Sequence, residues 1–506
     1  MEQVLHILKK DVRRLRWEIL ASLLLTGLLA WLSGDNRLVV PVTKRDFMLS
    51  GMRNTLLPLT VGSWWFLIVS LIHEEAIPGA LQFWLTRPYR RGALLGAKLL
   101  FIALFVNLPA FIADLAVFLR AGVPLAGQLA PLLWKQLLFS GLFLLPAAGL
   151  AAITSGLAQT VLGVLGLLLW NSLLSLVPGT GATLGGGLHW WTMTFQLALL
   201  FVAGILLLYW QYFRRKTDWS RGLVLALNVG IVTIAWALPL GLVFSWQQRL
   251  AHHPGAGAPY SIQPALERGR LSPEPGMRPS ASTAQIAIPV EHTLPSGLEM
   301  LADGVEASAN TLDGKPVAWG EAVAGWMERE GKPWIVLSLP RAEFNRIRGI
   351  AIRIDVKIYA TLFRQLRRTS MRFGAEPQAI EQFGLCGSRE SGSSIYAWCR
   401  TAFSPLQWTR MTLHSPASGE WGPPITMSGA SYAPFHWDAG VSPLTGILSR
   451  AELISRRLPG SENGWDPALL GSTEIHLTAA EPLDHPIGTL RFDNIRLEDF
   501  EVIEPR

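Results

Sequence analysis

The sequence predicts a polytopic α-helical membrane domain of about seven transmembrane helices, N-terminus in and C-terminus out, followed by a mainly β extracytoplasmic domain read as a β-sandwich. Three observations predict it. Residues 136–213 contain no Lys, Arg, Asp or Glu. Charge is split between the halves: residues 1–245 carry 19 Lys+Arg against 9 Asp+Glu, and residues 246–506 carry 25 against 28. Finally, Ile350, Ile352, Ile354, Val356 and Ile358 alternate with Ala351, Arg353, Asp355 and Lys357, the period of two that marks a half-buried strand.

Composition narrows the class further. The 506 residues are 50% hydrophobic and only 16% charged, against roughly 25% charged in soluble domains, which excludes a disordered chain. Two cysteines exclude a disulfide-dense scaffold and a four-cysteine metal site. The pI of about 9.6 would suit a nucleic-acid partner, but the positive charge sits beside apolar stretches. Membrane orientation accounts for it, and nucleic acid is set aside.

A membrane helix needs about 20 apolar residues to cross about 30 Å of hydrocarbon. Within the membrane domain (1–245), seven stretches qualify: 17–34, 56–72, 93–119, 131–153, 161–176, 193–213 and 222–244. The uncharged run is divided by Ser155–Gly156 and by the turn-rich 178–187. The first stretch has no small-residue cleavage site after it, so it is expected to stay as a helix rather than be removed as a signal peptide. Basic residues next to spans stay on the cytoplasmic side. Lys9, Lys10, Arg13, Arg14 and Arg16 therefore place the N-terminus inside. The 2–3 connection (Arg87, Arg90, Arg91, Lys98) and the 6–7 connection (Arg214, Arg215, Lys216, Arg221) then fall inside too. The first external loop is discordant, with Arg37, Lys44, Arg45 and Arg53 against Asp35 and Asp46.

Residues 246–282, rich in Pro and Gly, read as a linker. In the outer domain (283–506), strands are expected at 284–290, 334–339, 350–358, 395–401, 473–478 and 489–497, with helices at 340–348 and 444–457. Eight tryptophans there, Trp398 among them, serve as core residues or as sugar-stacking platforms. Cys386 and Cys399 flank Gly387–Ser394, which suits two strands and a loop. If this domain lies outside the cell a structural disulfide is expected; two free thiols, or a reactive or metal-binding cysteine, are the competing readings.

No catalytic motif is found. A P-loop is missing, because Gly314–Lys315 and Gly331–Lys332 are each followed by proline. His73-Glu74-Glu75 fails as a zinc-protease helix, with Ile77 where the second histidine belongs. The histidines show no metal-ligand spacing, so no metal or cofactor is assigned to this chain. Asp114 and Lys135 are charges at membrane depth. A structural ion pair, interfacial placement and substrate contact all fit them.

The segment from His73 to Lys98 is too apolar for a solvated loop and too charged to cross. Leu81, Trp84 and Leu85 share a face, so a short helix lying on the membrane surface is expected before Pro88. Glu75, Gly79, Leu85, Pro88, Arg91 and Lys98 follow in order at a definite spacing. In this pattern the chain resembles the permease subunits of ABC-2 type ABC transporters, with Ala80 where that family usually has threonine. The resemblance implies a coupling segment at Glu75, Gly79, Pro88, Arg91 and Lys98 that receives the motion of a separate ATP-binding subunit. ATP and Mg would sit in that partner, and a second permease copy or a related permease would complete the pathway in the cytoplasmic (inner) membrane. Separately, 488–497 resembles the closing strand of a jelly-roll carbohydrate-binding module. The alternative function is a membrane-anchored extracytoplasmic binding or sensing protein without transport activity.

Overall fold

The computed structural model describes residues 1–35, 43–74, 90–125, 128–175, 199–214, 219–227, 230, 242, 245, 260–268, 282–317, 323–329, 332–381, 383–391, 394–402, 408–415, 419–428, 447–454 and 473–502. It places a helical region first and a β-sheet-rich region second.

The chain starts with α1 (Glu2–Arg14). Val4, Ile7, Leu8 and Val12 recur at helical spacing and pack against the bundle, leaving Lys9 and Arg13 on the exposed side. Among the described residues, three helices are long and apolar enough to cross a membrane: α2 (Arg16–Ser33), α3 (Lys44–His73) and α4 (Arg91–Ala121). At 1.5 Å per residue the 30-residue α3 is about 45 Å long, longer than the hydrocarbon layer. Its start is fixed by a capping box in which the Thr43 hydroxyl accepts from the Asp46 amide and the Asp46 carboxylate accepts from the Thr43 amide, both at 3.1 Å. Lys44, Arg45 and Arg53, read from sequence as loop, are therefore helical. A left-handed Gly122 (φ 77°) ends α4.

Next comes α5 (129–153), followed by α6 (Leu157–Ser175), α7 (Leu199–Arg214) and a helical stretch α8 at 219–227. Both α4 and α5 contain a π-helical turn, at Ala103–Asn107 and Ser140–Leu144, and each turn is followed two residues later by a proline, Pro109 and Pro146. One core runs through the bundle, built on Trp64, Leu67, Ile68, Leu71, Phe101 and Ala148. Trp64 packs edge-on to Phe139 (5.3 Å) and donates its indole N–H to Thr26 Oγ1 (3.0 Å).

The described residues of the β region form three antiparallel sheets. The first orders β1 (Ser261–Pro264), β2 (Thr283–Thr293), β5 (Lys332–Pro340) and β4 (Val323–Arg329). The second orders β11 (Gly419–Ser428), β10 (Trp408–Ser415), β13 (Glu474–Asp484), β6 (Ile352–Arg372) and β14 (Ile487–Ile495), with β3 (Leu298–Thr311) also on β6. A third sheet orders β12 (Ile447–Ile454), β9 (Ser394–Ala402), β8 (Gly384–Ser391) and β7 (Gln378–Ile380).

Strand β6 spans 21 residues and serves two cores. Ile352, Ile354, Val356 and Ile358 meet Ile286, Ile288, Ile335 and Leu337 of the first sheet. Farther along, Met371 joins Ile475 and Leu477 of β13 and the two cysteines of the third sheet, Cys386 and Cys399. The short helix α9 (Arg341–Ile347) closes the first core with Phe344.

Two sequence expectations are corrected. Residues 447–454 form strand β12, not a helix, because every residue from Ile447 to Ile454 pairs with β9. The stretch 246–282 is not linker throughout: Ser261–Pro264 pairs with Val290–Thr293 of β2. Residues 246–259 and 269–281 lie outside the described residues.

Candidate functional site at the charged end of the bundle

At one end of the bundle, α1 crosses the start of α4 and the end of α3. The apolar stripe of α1 carries one polar member, Asp11, which is turned inward and fully buried. Its Oδ2 accepts from Lys98 Nζ at 3.0 Å, and Lys98 is 1% exposed. Burying one such charge alone would cost several kcal/mol, and pairing with the other offsets much of it. Lys10, the residue before Asp11, and Arg14, a turn further on, reach Glu74 at 3.2 and 3.1 Å. Glu74 follows α3 directly, and its side chain is 5% exposed. Burial pushes the Asp11 carboxyl above the usual carboxylate range and Glu74 adds to the effect, while Lys98 opposes both.

Of the sequence-derived coupling residues, Lys98 and Arg91 belong to this end. Arg91 Nη1 donates to the Phe213 carbonyl at 2.7 Å, tying the start of α4 to the end of α7. Glu75, Gly79 and Pro88 lie outside the described residues, but the segment that holds them, 75–89, begins beside Glu74 and ends at Arg90 and Arg91. His73 extends the joint: its Nε2 lies 3.0 Å from the Ala151 carbonyl and 3.1 Å from Thr154 Oγ1, and Thr154 Oγ1 lies 2.6 Å from Thr160 Oγ1. The ends of α3, α5 and α7 and the starts of α4 and α6 thus share one layer with α1.

Sequence reading missed Asp11, Lys10, Arg14 and Glu74 as a network. A signal was present: Asp11 is the sole acid among five basic residues between Lys9 and Arg16, and it falls at helical spacing from Val4, Ile7 and Leu8.

At the opposite end, Asp114 of α4 and Lys135 of α5 are joined at 2.6 Å, both buried, with Gln136 Nε2 donating to the same carboxylate oxygen at 3.3 Å. Arg120 lies over the Trp31 ring at 3.7 Å and donates to its carbonyl. Here the third sheet meets the helices, with Leu385 and Trp398 packed in one cluster with Val117, Phe118, Ala121, Val123 and Leu132. Cys386 and Cys399, directly opposite in the β8–β9 ladder, are bonded. Trp398 is buried at this contact, and Trp334 is buried in the first sheet, so both are core residues. Among the described residues no cluster of three or more His, Cys, Asp or Glu side chains could hold a metal ion.

No family model matches the chain, and neither does any curated protein or solved structure.

Proposed function

We propose that this chain is the transmembrane permease subunit of an ABC-2 type ABC transporter, driven by a separate ATP-binding subunit. The observation that carries the reading is the ion-pair joint of Asp11, Lys98, Lys10, Arg14 and Glu74, which brackets 75–89, the segment whose residues resemble that family's coupling region. A force applied to that segment would reach α1, α3 and α4 together, since α1 is tied to α4 by the buried Asp11–Lys98 pair and to the end of α3 by Lys10 and Arg14 on Glu74.

In this reading the charged end faces the cytoplasm and the ATPase, which brings the ATP and Mg. About seven spans cross the cytoplasmic membrane, the β-rich region lies outside, and a second permease copy or a related permease completes the pathway. The β region's place at the far end of the bundle from α1 supports the N-in, C-out arrangement.

The test is purification of the tagged chain in mild detergent, with mass spectrometry of what co-purifies and an ATPase assay. A stoichiometric P-loop ATPase, lost in Glu75→Ala and Arg91→Ala at normal membrane abundance, is expected. A chain free of ATPase under several mild detergents would favour a membrane-anchored binding or sensing protein instead.

A further inference from the structure

The facing sides of α4 and α5 carry a continuous polar seam. Asn107 Nδ2 donates to Ser140 Oγ at 2.8 Å, and Ser140 donates back to the Gln136 carbonyl at 2.8 Å. Gln136 in turn donates to Asp114, which Lys135 also holds. Asn107 and Ser140 each sit in a π-helical turn with a proline two residues beyond it, so the bend points of the two helices meet at one depth and are bonded there. Such turns weaken the regular helical ladder locally, and kinks gather at them and at proline.

Above the ion pair the same faces become apolar. Val117, Phe118 and Ala121 lie three, four and seven residues past Asp114, and Leu132 lies three before Lys135. This apolar layer is where Leu385 and Trp398 are seated, one from each strand of the β8–β9 hairpin. The next residue in each strand is a cysteine of the disulfide, which fixes the two docking side chains as a unit. A Cβ on Gly387 would lie 2.7 Å from the Trp398 ring, so position 387 must be bare for the indole to lie across the hairpin. Strand β12, paired with β9, also touches α4.

We propose that the β8–β9 hairpin is a latch on α4 and α5: seated, it holds the two helices joined along the seam, and lifted, it lets them part and bend at the paired π-turns. The β-rich region would thereby report its own state to the membrane helices. The inference does not depend on the transport reading, since it concerns two helices and the hairpin on them.

Hydrogen exchange of the full chain in nanodiscs tests it. Trp398→Ala should speed exchange of 103–107 and 140–144 at least tenfold, with α2 and the first half of α3 unchanged. Val123→Ser removes contact from the helix side, leaves the β region's own packing untouched, and should give the same pattern at smaller amplitude. Should Trp398→Ala fail to fold, Val123→Ser decides. Unchanged exchange at both π-turns, or a uniform rise across all helices, would overturn the latch.

Discussion

The two ends of the helical bundle each bury one Asp–Lys pair, and the pairs differ in everything around them. Asp11–Lys98 is one link in a network: Lys10 stands 3.7 Å from Asp11 and 3.2 Å from Glu74, and Arg14 lies exposed beside them. Asp114–Lys135 takes Gln136 as a further polar partner among the described residues and lies next to the apolar cluster under the β8–β9 hairpin. The same two residue types therefore build an adaptable joint at one end and a sealed clasp at the other. What decides between them is how many other charges can take over when one is lost.

That contrast ranks the expected effects. Lys135→Ala strands a buried carboxylate, and breaking a buried pair costs about 3–5 kcal/mol. Thermal unfolding in detergent should show this loss, and Asp114→Leu combined with Lys135→Leu should restore most of it. A double variant as unstable as the single would break the clasp reading. Lys98→Ala should cost less, about 2 kcal/mol, because Lys10 can still neutralise Asp11. An equal cost for the two single variants would erase the distinction between the ends.

Reduction of Cys386–Cys399 opens a loop of 13 residues, worth about 3 kcal/mol in a chain-entropy account. The loss should appear in the β transition. Smaller still are the exposed pairs on β6. Arg364–Glu481 is open to solvent, and Arg364→Ala should change stability by less than about 1 kcal/mol.

Alkaline pH separates the regions in another way. Tyr359 donates its hydroxyl to Glu306 at 2.9 Å, and burial, followed by this carboxylate, pushes the phenol up to about 12. An acid raised in the folded state contributes stability that is full below its unfolded value near 10 and lost as pH rises through about 12. The β transition should weaken across that window, and Tyr359→Phe should remove this part of the dependence.

Much of the fold was legible where one physical demand acts alone. A long apolar run bounded by charged and turn residues stands out in a sequence, so the helices α2, α4 and α5 begin and end within two residues of their sequence-derived limits. The strand expected from Ile350 was legible from Ile352 to Ile358 because only one of its faces is apolar, whereas Ile350 precedes it and is exposed. Its continuation to Arg372 was not, because 358–363 is buried on both sides between strands and loses the alternation. Residues 444–457 read as a helix because Leu444, Ile447, Leu448 and Ala451 follow helical spacing, yet pairing with β9 overrides that local pattern. The start of α3 was obscured by its charges, although Thr43 and Asp46 mark a helix start at their three-residue spacing.

For the site, Lys98 and Arg91 were visible as basic residues beside a span, but their partners were not. Asp11 lies 87 residues from Lys98, and the Arg91 acceptor is a backbone carbonyl 122 residues away. No local pattern encodes either contact. The π-turns leave no residue signature beyond Pro109 and Pro146, which also fit ordinary kinks.

The most direct test of the account is sidedness, because it requires the two ends of the bundle to face different compartments. Both native cysteines are bonded, so a single thiol introduced by Glu2→Cys or by Asp313→Cys can be labelled in intact cells with a membrane-impermeant maleimide. The account predicts labelling at position 313 and none at position 2 until the membrane is opened. Labelling at position 2 in intact cells, or equal labelling at both positions, would contradict it.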